Sequence, residues 1–312
     1  MGLGRNALLA AFVLTGLSSM AVSQAAFAQA PDTGAVQVAD SELAITMRVD
    51  GELTFDTQGN VISHKVTTPD LKQGIIDLAD KEMAQMKFEP VVIDGRPVNA
   101  RTFVRMTLVA RGLDEGKYEV SIEKSLFFDG SFGADGIPNR KPRTEADRQY
   151  ARDNWTVAKR KRMPGYPMGL MRAGVDGAVA IRLLMRPDGT VENAFVTQSA
   201  LFNIKGRDKT LDKARRLFER MALDAIRTWT FNPPEKSGAV DDPEWRSGDI
   251  MVQFTVRDDA MNKPGVWRLE QRGVRKVAEW EARRDQRLLV GVSDMTGDED
   301  VMSPDPRIRL AN

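Results

Sequence analysis

Hydrophobic and polar positions alternate in two stretches of the chain that match each other. In the first, Val49, Leu53 and Phe55 lead to Gly59, Val61 and Val66. In the second, Val179, Leu183 and Met185 lead to Gly189, Val191 and Val196, at a constant offset of 130 residues. Apolar residues at alternate positions predict strands with one buried face. Each glycine follows a polar residue, in DTQGN and in RPDGT, and stands between two such runs. That is hairpin chemistry, because glycine takes the positive φ of a tight turn without steric cost.

The period then changes from two to between three and four, which predicts a helix after each hairpin. The second stripe runs Leu211, Ala214, Leu217, Phe218, Met221, Ala222, Ala225, Ile226 and Trp229. The first runs Leu71, Ile75, Leu78, Ala79, Met83 and Met86, with Asp70 and Gln73 spaced as a capping box. Both helices end alike, at MKFEP (86–90) and WTFNP (229–233), where proline forces an extended exit. The offset between these ends is 143, so the second copy carries 13 more residues, which the sequence places as a loop in NIKGRDKT. A last strand closes each unit, TFVRMTLVA (102–110) and IMVQFTVRD (250–258). The predicted class is α+β: two units, each a small antiparallel sheet with a helix packed on one face.

Between and beyond these units the pattern is less regular. KYEVSIEKSLFF (117–128) offers one more strand to the first unit. The Gly- and Pro-rich run that follows predicts a loop. Residues 145–163, with AKRKR, read as a basic helix with a solvated face. Residues 263–287 hold eight basic and four acidic side chains, and 294–305 hold five acidic and no basic ones. A helix followed by an acidic tail is expected there. The predicted organisation is therefore 1–28, 41–128, 129–163, 164–258 and 259–312.

Composition narrows the chemistry. The 312 residues hold 42% hydrophobic and 29% charged side chains, with a net charge of +1. Nucleic-acid binding needs a basic surplus, which is missing. With no cysteine and one histidine, His64, thiol chemistry, disulfides and most zinc sites are excluded. No Asp-x-Asp-x-Asp-Gly calcium loop occurs, and the carboxylates scatter without a cleft-like constellation. The expectation is no catalytic residue, no metal and no cofactor, with His64 a partly buried structural histidine. At the N-terminus Arg5 precedes an apolar run, Ala7 to Val22, and then AFAQAPD. Ala26 and Ala28 are placed as the small residues before a cleavage, and a run of 16 is short of the ~20 that a stable span needs. A signal peptide cleaved after Ala28 is expected, hence a periplasmic protein. The alternative is a retained inner-membrane anchor.

The second unit resembles the C-terminal domain of the TonB family. That family reads Tyr-Pro, an apolar turn, Gly-x-x-Gly-x-Val and a strand, Asp-Gly-x-Val and a strand, a helix ending in Trp-x-Phe-x-Pro, and a final strand. The matching residues are Tyr166, Pro167, Gly174, Gly177, Val179, Asp188, Gly189, Val191, Trp229, Phe231 and Pro233. The first unit is similar in degenerate form, with Met86 in the tryptophan position and no Tyr-Pro. Where the family often has Gln-Pro-Gln-Tyr-Pro, this chain has MPGYP, and it lacks the Pro-rich spacer. The resemblance implies strand addition: an extended peptide of a TonB-dependent outer-membrane receptor pairs with the edge of the sheet. It implies peptide contacts at Pro164, Tyr166 and Pro167, and on the last strand at Ile250, Val252, Phe254 and Val256. An inner-membrane motor of the ExbB/ExbD type would be a partner of an anchored form. A second reading is an adaptor that uses sheet edges to form a homodimer or to bind other peptides. Tyr-Pro also has a purely structural reading, pinning its segment against the helix.

Overall fold

The computed structural model describes residues 35–93, 95–112, 117–128, 131–132, 138–139, 157–232, 246–256, 263–278, 291–293 and 311. The proposed signal peptide, most of the 129–163 linker and the acidic 294–305 run lie outside these residues. The class is mixed and mostly sheet. The strands are β1 (Ala35–Ala39), β2 (Glu42–Phe55), β3 (Val61–Val66), β4 (Val91–Ile93), β5 (Arg96–Val98), β6 (Ala100–Gly112), β7 (Tyr118–Phe128), β8 (Ser131–Phe132), β9 (Pro138–Asn139), β10 (Val157–Arg160), β11 (Asp176–Met185), β12 (Val191–Phe202), β13 (Thr230–Asn232), β14 (Ser247–Phe254), β15 (Arg268–Arg272) and β16 (Arg275–Ala278). The helices are α1 (Gln73–Gln85), α2 (Met168–Arg172) and α3 (Asp208–Ile226).

Both halves build the same unit. In the first, β2 is the middle strand, paired with β3 on one side and β6 on the other, and α1 packs over it. In the second, β11 is the middle strand between β12 and β14, under α3. The repeated glycines and the repeated Phe-x-Pro turn out to be one device. Gly59, at φ +83°, lies so close to Phe88 that a β-carbon would sit 1.8 Å from its carbonyl oxygen. Gly189, at φ +82°, stands in the same relation to Phe231, at 1.9 Å. The Phe88 amide donates to the Gly59 carbonyl and the Phe231 amide to that of Gly189, both at 2.8 Å. Asp56 and Asp188 complete the hairpins by accepting from the amides of Asn60 (2.9 Å) and Thr190 (2.8 Å). The chain leaving each helix is thus sewn to its own hairpin at a point only glycine fits.

Most of the 13 additional residues of the second copy lengthen a strand and a helix, not a loop. β12 has 12 residues against 6 in β3, and α3 has 19 against 13 in α1. The strand and the helix lengthen together and pack on each other. The lengthened end of β12 has a use. Ala200, Leu201 and Phe202 pair on one side with β11 and on the other with β15. β15 in turn pairs with β2, Arg268 opposite Thr46 and Glu270 opposite Ala44. The two units therefore share one eight-stranded sheet, in the order β14-β11-β12-β15-β2-β6-β7 with β3 branching from β2. Asn203 seals the joint. Its amide donates to the Leu269 carbonyl at 2.8 Å, and its side-chain oxygen accepts from the Leu269 amide at 3.1 Å. Its φ of +51° is one that asparagine tolerates better than most residues.

Three expectations are corrected. The helix expected within 263–287 is replaced by β15 and β16 over the described part, to Ala278, with β16 paired to β1. Pro264 and Gly273 interrupt any helical run, and Arg-Leu-Glu-Gln-Arg alternates with period two, not four. The basic helix expected at 145–163 is, at its described end, the strand β10 paired with β13. No capping box forms at α1, whose N-cap is Lys72, and the Gln73 amide nitrogen donates to Asp77 instead. Asp70 sits at φ +57°, in the turn before the helix. The strand expected at 117–128 is present as β7, paired with β6 from Phe103 to Gly112.

Both helices lie on one face of the shared sheet. The first core gathers Val49, Leu53, Phe55, Met83, Phe88, Met106 and Leu108, with Phe55 and Phe88 stacked at 4.4 Å. The second gathers Val179, Ile181, Leu183, Leu201, Phe218, Ile226, Phe231 and Val252. The opposite face carries a smaller apolar cluster, Ala178, Ala180, Ala200, Phe202, Met251 and Val292. Beside it lies a row of buried charges.

Candidate functional site

Pro164, Tyr166 and Pro167 lie in the segment that runs beneath α3 into β11. The Tyr166 ring meets Phe218 and Phe254 edge-on, at centroid distances of 5.6 and 5.5 Å, and those two rings stack at 4.3 Å. Its hydroxyl donates to the Val175 carbonyl at 2.5 Å. Burial, aided by Asp176, pushes the phenol well above its ordinary pKa, so it stays a donor at any physiological pH. Pro167 is the N-cap of α2, and its carbonyl accepts from Leu170 and Met171. Upstream, the Trp229 indole donates to the Arg162 carbonyl at 2.9 Å, and Lys161 lies over the Trp229 ring at 5.7 Å. Tyr166 thus holds its own segment onto the domain. Pro164 and Pro167 are half-buried between Met163 and Met168, which are 66% and 54% exposed.

β14 ends the strand order, and among the described residues it pairs with β11 alone. Ile250, Val252 and Phe254 are all buried in the core under α3. Their backbones also point inward. The Met185 amide donates to the Arg246 carbonyl at 2.8 Å, and in an antiparallel ladder the bonded pairs recur every second residue. Ile250, Val252 and Phe254 fall on the bonded positions facing β11, while Asp249, Met251 and Gln253 direct their backbone groups to the outer side. Val256 lies past the end of β14, 39% exposed, and its amide donates to Asp176 at 2.7 Å. The structure brings Tyr166 and Phe254 together in one aromatic cluster. It does not align Ile250, Val252 and Phe254 with an outside strand. Alternation along β14 had pointed to the core-facing residues, whereas a guest backbone meets the residues between them.

The sequence also concealed the buried charges of the helix-free face. Glu270 is wholly buried between Arg268 (3.0 Å) and Arg272 (2.9 Å), and accepts from Ser293 at 2.5 Å. Burial alone would raise its pKa. The flanking guanidinium groups win and hold it at about 2. Arg272 also donates to Glu42 (2.8 Å) and Glu123 (2.9 Å), joining β15 to β2 and β7. Farther along the face Arg105 pairs with Asp50 at 3.0 Å, and Arg182 with Asp249 at 3.1 Å. The one available signal was like-spaced charge, Arg268-x-Glu270-x-Arg272 and Arg48-x-Asp50, which on a strand puts every charge on one face. His64 is partly exposed, 3.8 Å from Asp80. Among the described residues no group of three or more acidic or histidine side chains converges as a cation site, and no helix is long and apolar enough to cross a membrane. No family model matches the chain, and no curated protein matches it.

Proposed function

We propose that this chain is a periplasmic TonB-family protein that binds an extended peptide of an outer-membrane receptor by strand addition to β14. In this reading the two units are TonB C-terminal-like domains, the first of them degenerate. The observation that carries the reading is the position of β14, last in the sheet order and anchored from behind by Ile250, Val252 and Phe254. A strand fixed in this way presents a rigid backbone template, so the ordering cost falls on the guest alone. Each backbone bond contributes about 1 kcal/mol net against an association cost of ~4–15 kcal/mol. The expected affinity is therefore on the order of micromolar. The test is an amide chemical-shift titration with receptor-type peptides. Shifts at 249–253 and around Tyr166, with β6 silent, support strand addition, and unmoved β14 amides end it. Coupling to an ExbB/ExbD-type motor belongs to this reading only if the N-terminal segment stays in the membrane. A mature N-terminus at Gln29 by mass spectrometry removes the motor and leaves a periplasmic binding protein.

A second reading has its own observation. The shared sheet has two ends, and β7, at the far end, carries the 58% exposed Tyr118. A non-energised adaptor or homodimer would use such ends. Concentration-dependent dimerisation in sedimentation, with shifts at 118–128 or 249–253 and no receptor peptide present, favours it.

A further inference from the structure

We propose that the outward face of α3, with the 159–172 segment beside it, is a docking surface for an anionic phospholipid bilayer. The solvent side of α3 is a cationic stripe. Lys209, Lys213, Arg216, Arg220 and Arg227 follow one another at helical spacing, and all five are exposed. Asp224 is the acidic residue within the stripe, 4.0 Å from Arg227. The other acids of the helix are turned to different work. Asp212 accepts from Arg215, Glu219 accepts from Ser199, and Asp208 sits in the first turn.

The neighbouring segment adds more charge and two apolar anchors. It runs alongside the C-terminal half of α3. Lys161 lies over the Trp229 ring at 5.7 Å, a β-carbon at Gly165 would sit 3.2 Å from the Met221 methyl, and the Tyr166 ring meets Phe218. Lys159, Arg160, Lys161, Arg162 and Arg172 are exposed, and no acid occurs from 157 to 175. Met163 and Met168 stand out among these cations, and Met163 is the most exposed large apolar side chain of the described residues. Residues 157–175 and 205–227 together hold thirteen basic and four acidic side chains, although the whole chain nets only +1. The cations are gathered here, and the rest of the chain is acidic on balance.

The fold does not demand this stripe. α1 has the same place in the first unit, and it carries three acids, Asp77, Asp80 and Glu82, against one base, Lys81. Two features select the partner. The cations spread over a convex helix face and do not converge, so they match an extended layer of phosphates and not one bound ion. The exposed methionines can enter the boundary between headgroups and acyl chains, while the long basic stems keep their charges at the phosphates. A polyanion without apolar parts would leave those methionines idle. The proposal is independent of strand addition, since β14 takes no part in it.

The test is co-sedimentation of the full chain with vesicles of phosphatidylcholine, alone or mixed in equal parts with phosphatidylglycerol. Retention that requires phosphatidylglycerol and is released by high salt is expected. Arg216→Gln combined with Arg220→Gln, both on the exposed stripe, should fold normally and weaken binding about tenfold or more. Met163→Ser combined with Met168→Ser should weaken it severalfold and leave the salt dependence as it was. Lys81→Gln, on α1, should change nothing, and inorganic phosphate at matched ionic strength should not compete. Equal retention on both lipids would place the contact in the apolar N-terminal run and overturn the proposal. Full binding by the Arg216→Gln/Arg220→Gln variant, or an equal loss in Lys81→Gln, would also overturn it. Binding to duplex DNA or polyglutamate as tight as to the anionic vesicles, and unmoved by the methionine changes, would make this a general polyanion surface instead.

Discussion

The two units share a plan and differ at their closing strands. β6 and β14 occupy the same place, each beside the middle strand and each after the helix. β6 is covered along Phe103–Gly112 by β7, whereas β14 pairs with β11 alone among the described residues. The turns, the aromatic locks and the helix positions are alike, so they belong to the folding of each unit. The closing strand is where the units diverge, and the unit whose closing strand ends the sheet is also the one that carries Tyr-Pro. The second difference is length. The six extra residues of β12 reach β15, and through it the first unit. The longer β12 makes one sheet of the two units.

The largest expected effect is at that joint. Glu270→Gln removes the counter-charge from two buried arginines and should cost roughly 3–5 kcal/mol. A single cooperative melt that splits in two in this variant would show that the units fold separately once unjoined. The wild type should also lose stability in acid. Glu270 is held at about 2 against an ordinary 4.5, so the unfolded state binds the proton first. Its contribution is complete above about 4.5 and is lost as pH falls towards about 2. Denaturant midpoints across that range should fall more steeply for the wild type than for Glu270→Gln.

Next come the hairpin locks. Gly59→Val and Gly189→Val each force a β-carbon onto a backbone carbonyl at positive φ, and each should cost about 3 kcal/mol or more. Similar losses would confirm that the locks are equivalent, and a tolerant Gly59 would break the comparison. Proline substitutions probe the edges. Val252→Pro should cost roughly 3 kcal/mol beyond Val252→Ala, by removing a ladder bond to β11. Met251→Pro should add little to Met251→Ala, because that amide faces away from β11. In β6, bonded on both sides, neither of two adjacent positions should tolerate proline. The smallest effect is Tyr166→Phe, about 1 kcal/mol from the lost bond to the Val175 carbonyl. If peptide binding changes more than stability does, Tyr166 serves the ligand as well as the fold.

Much of each unit could be read from the residues in order. Period-two runs, paired glycines, helical stripes and a terminal proline are local signals, and they placed β2, β3, α1, β6, β11, β12, α3 and β14. What stayed hidden has two causes. Read locally, charge marks solvent, so Arg268, Glu270 and Arg272 suggest a polar helix. In fact they are buried because each neutralises another. The additional residues of the second copy looked like a loop because nothing nearby in sequence pairs with them, and their partner β15 lies more than sixty residues on.

By itself, then, the sequence determined the two repeated units, since the forces that shape a hairpin or a helix act between near neighbours. Only the tertiary structure decided that the units share one sheet, which strand ends it, and that the charged face is buried. Those outcomes depend on contacts between residues far apart in the chain, whose energies exist only once the strands are side by side.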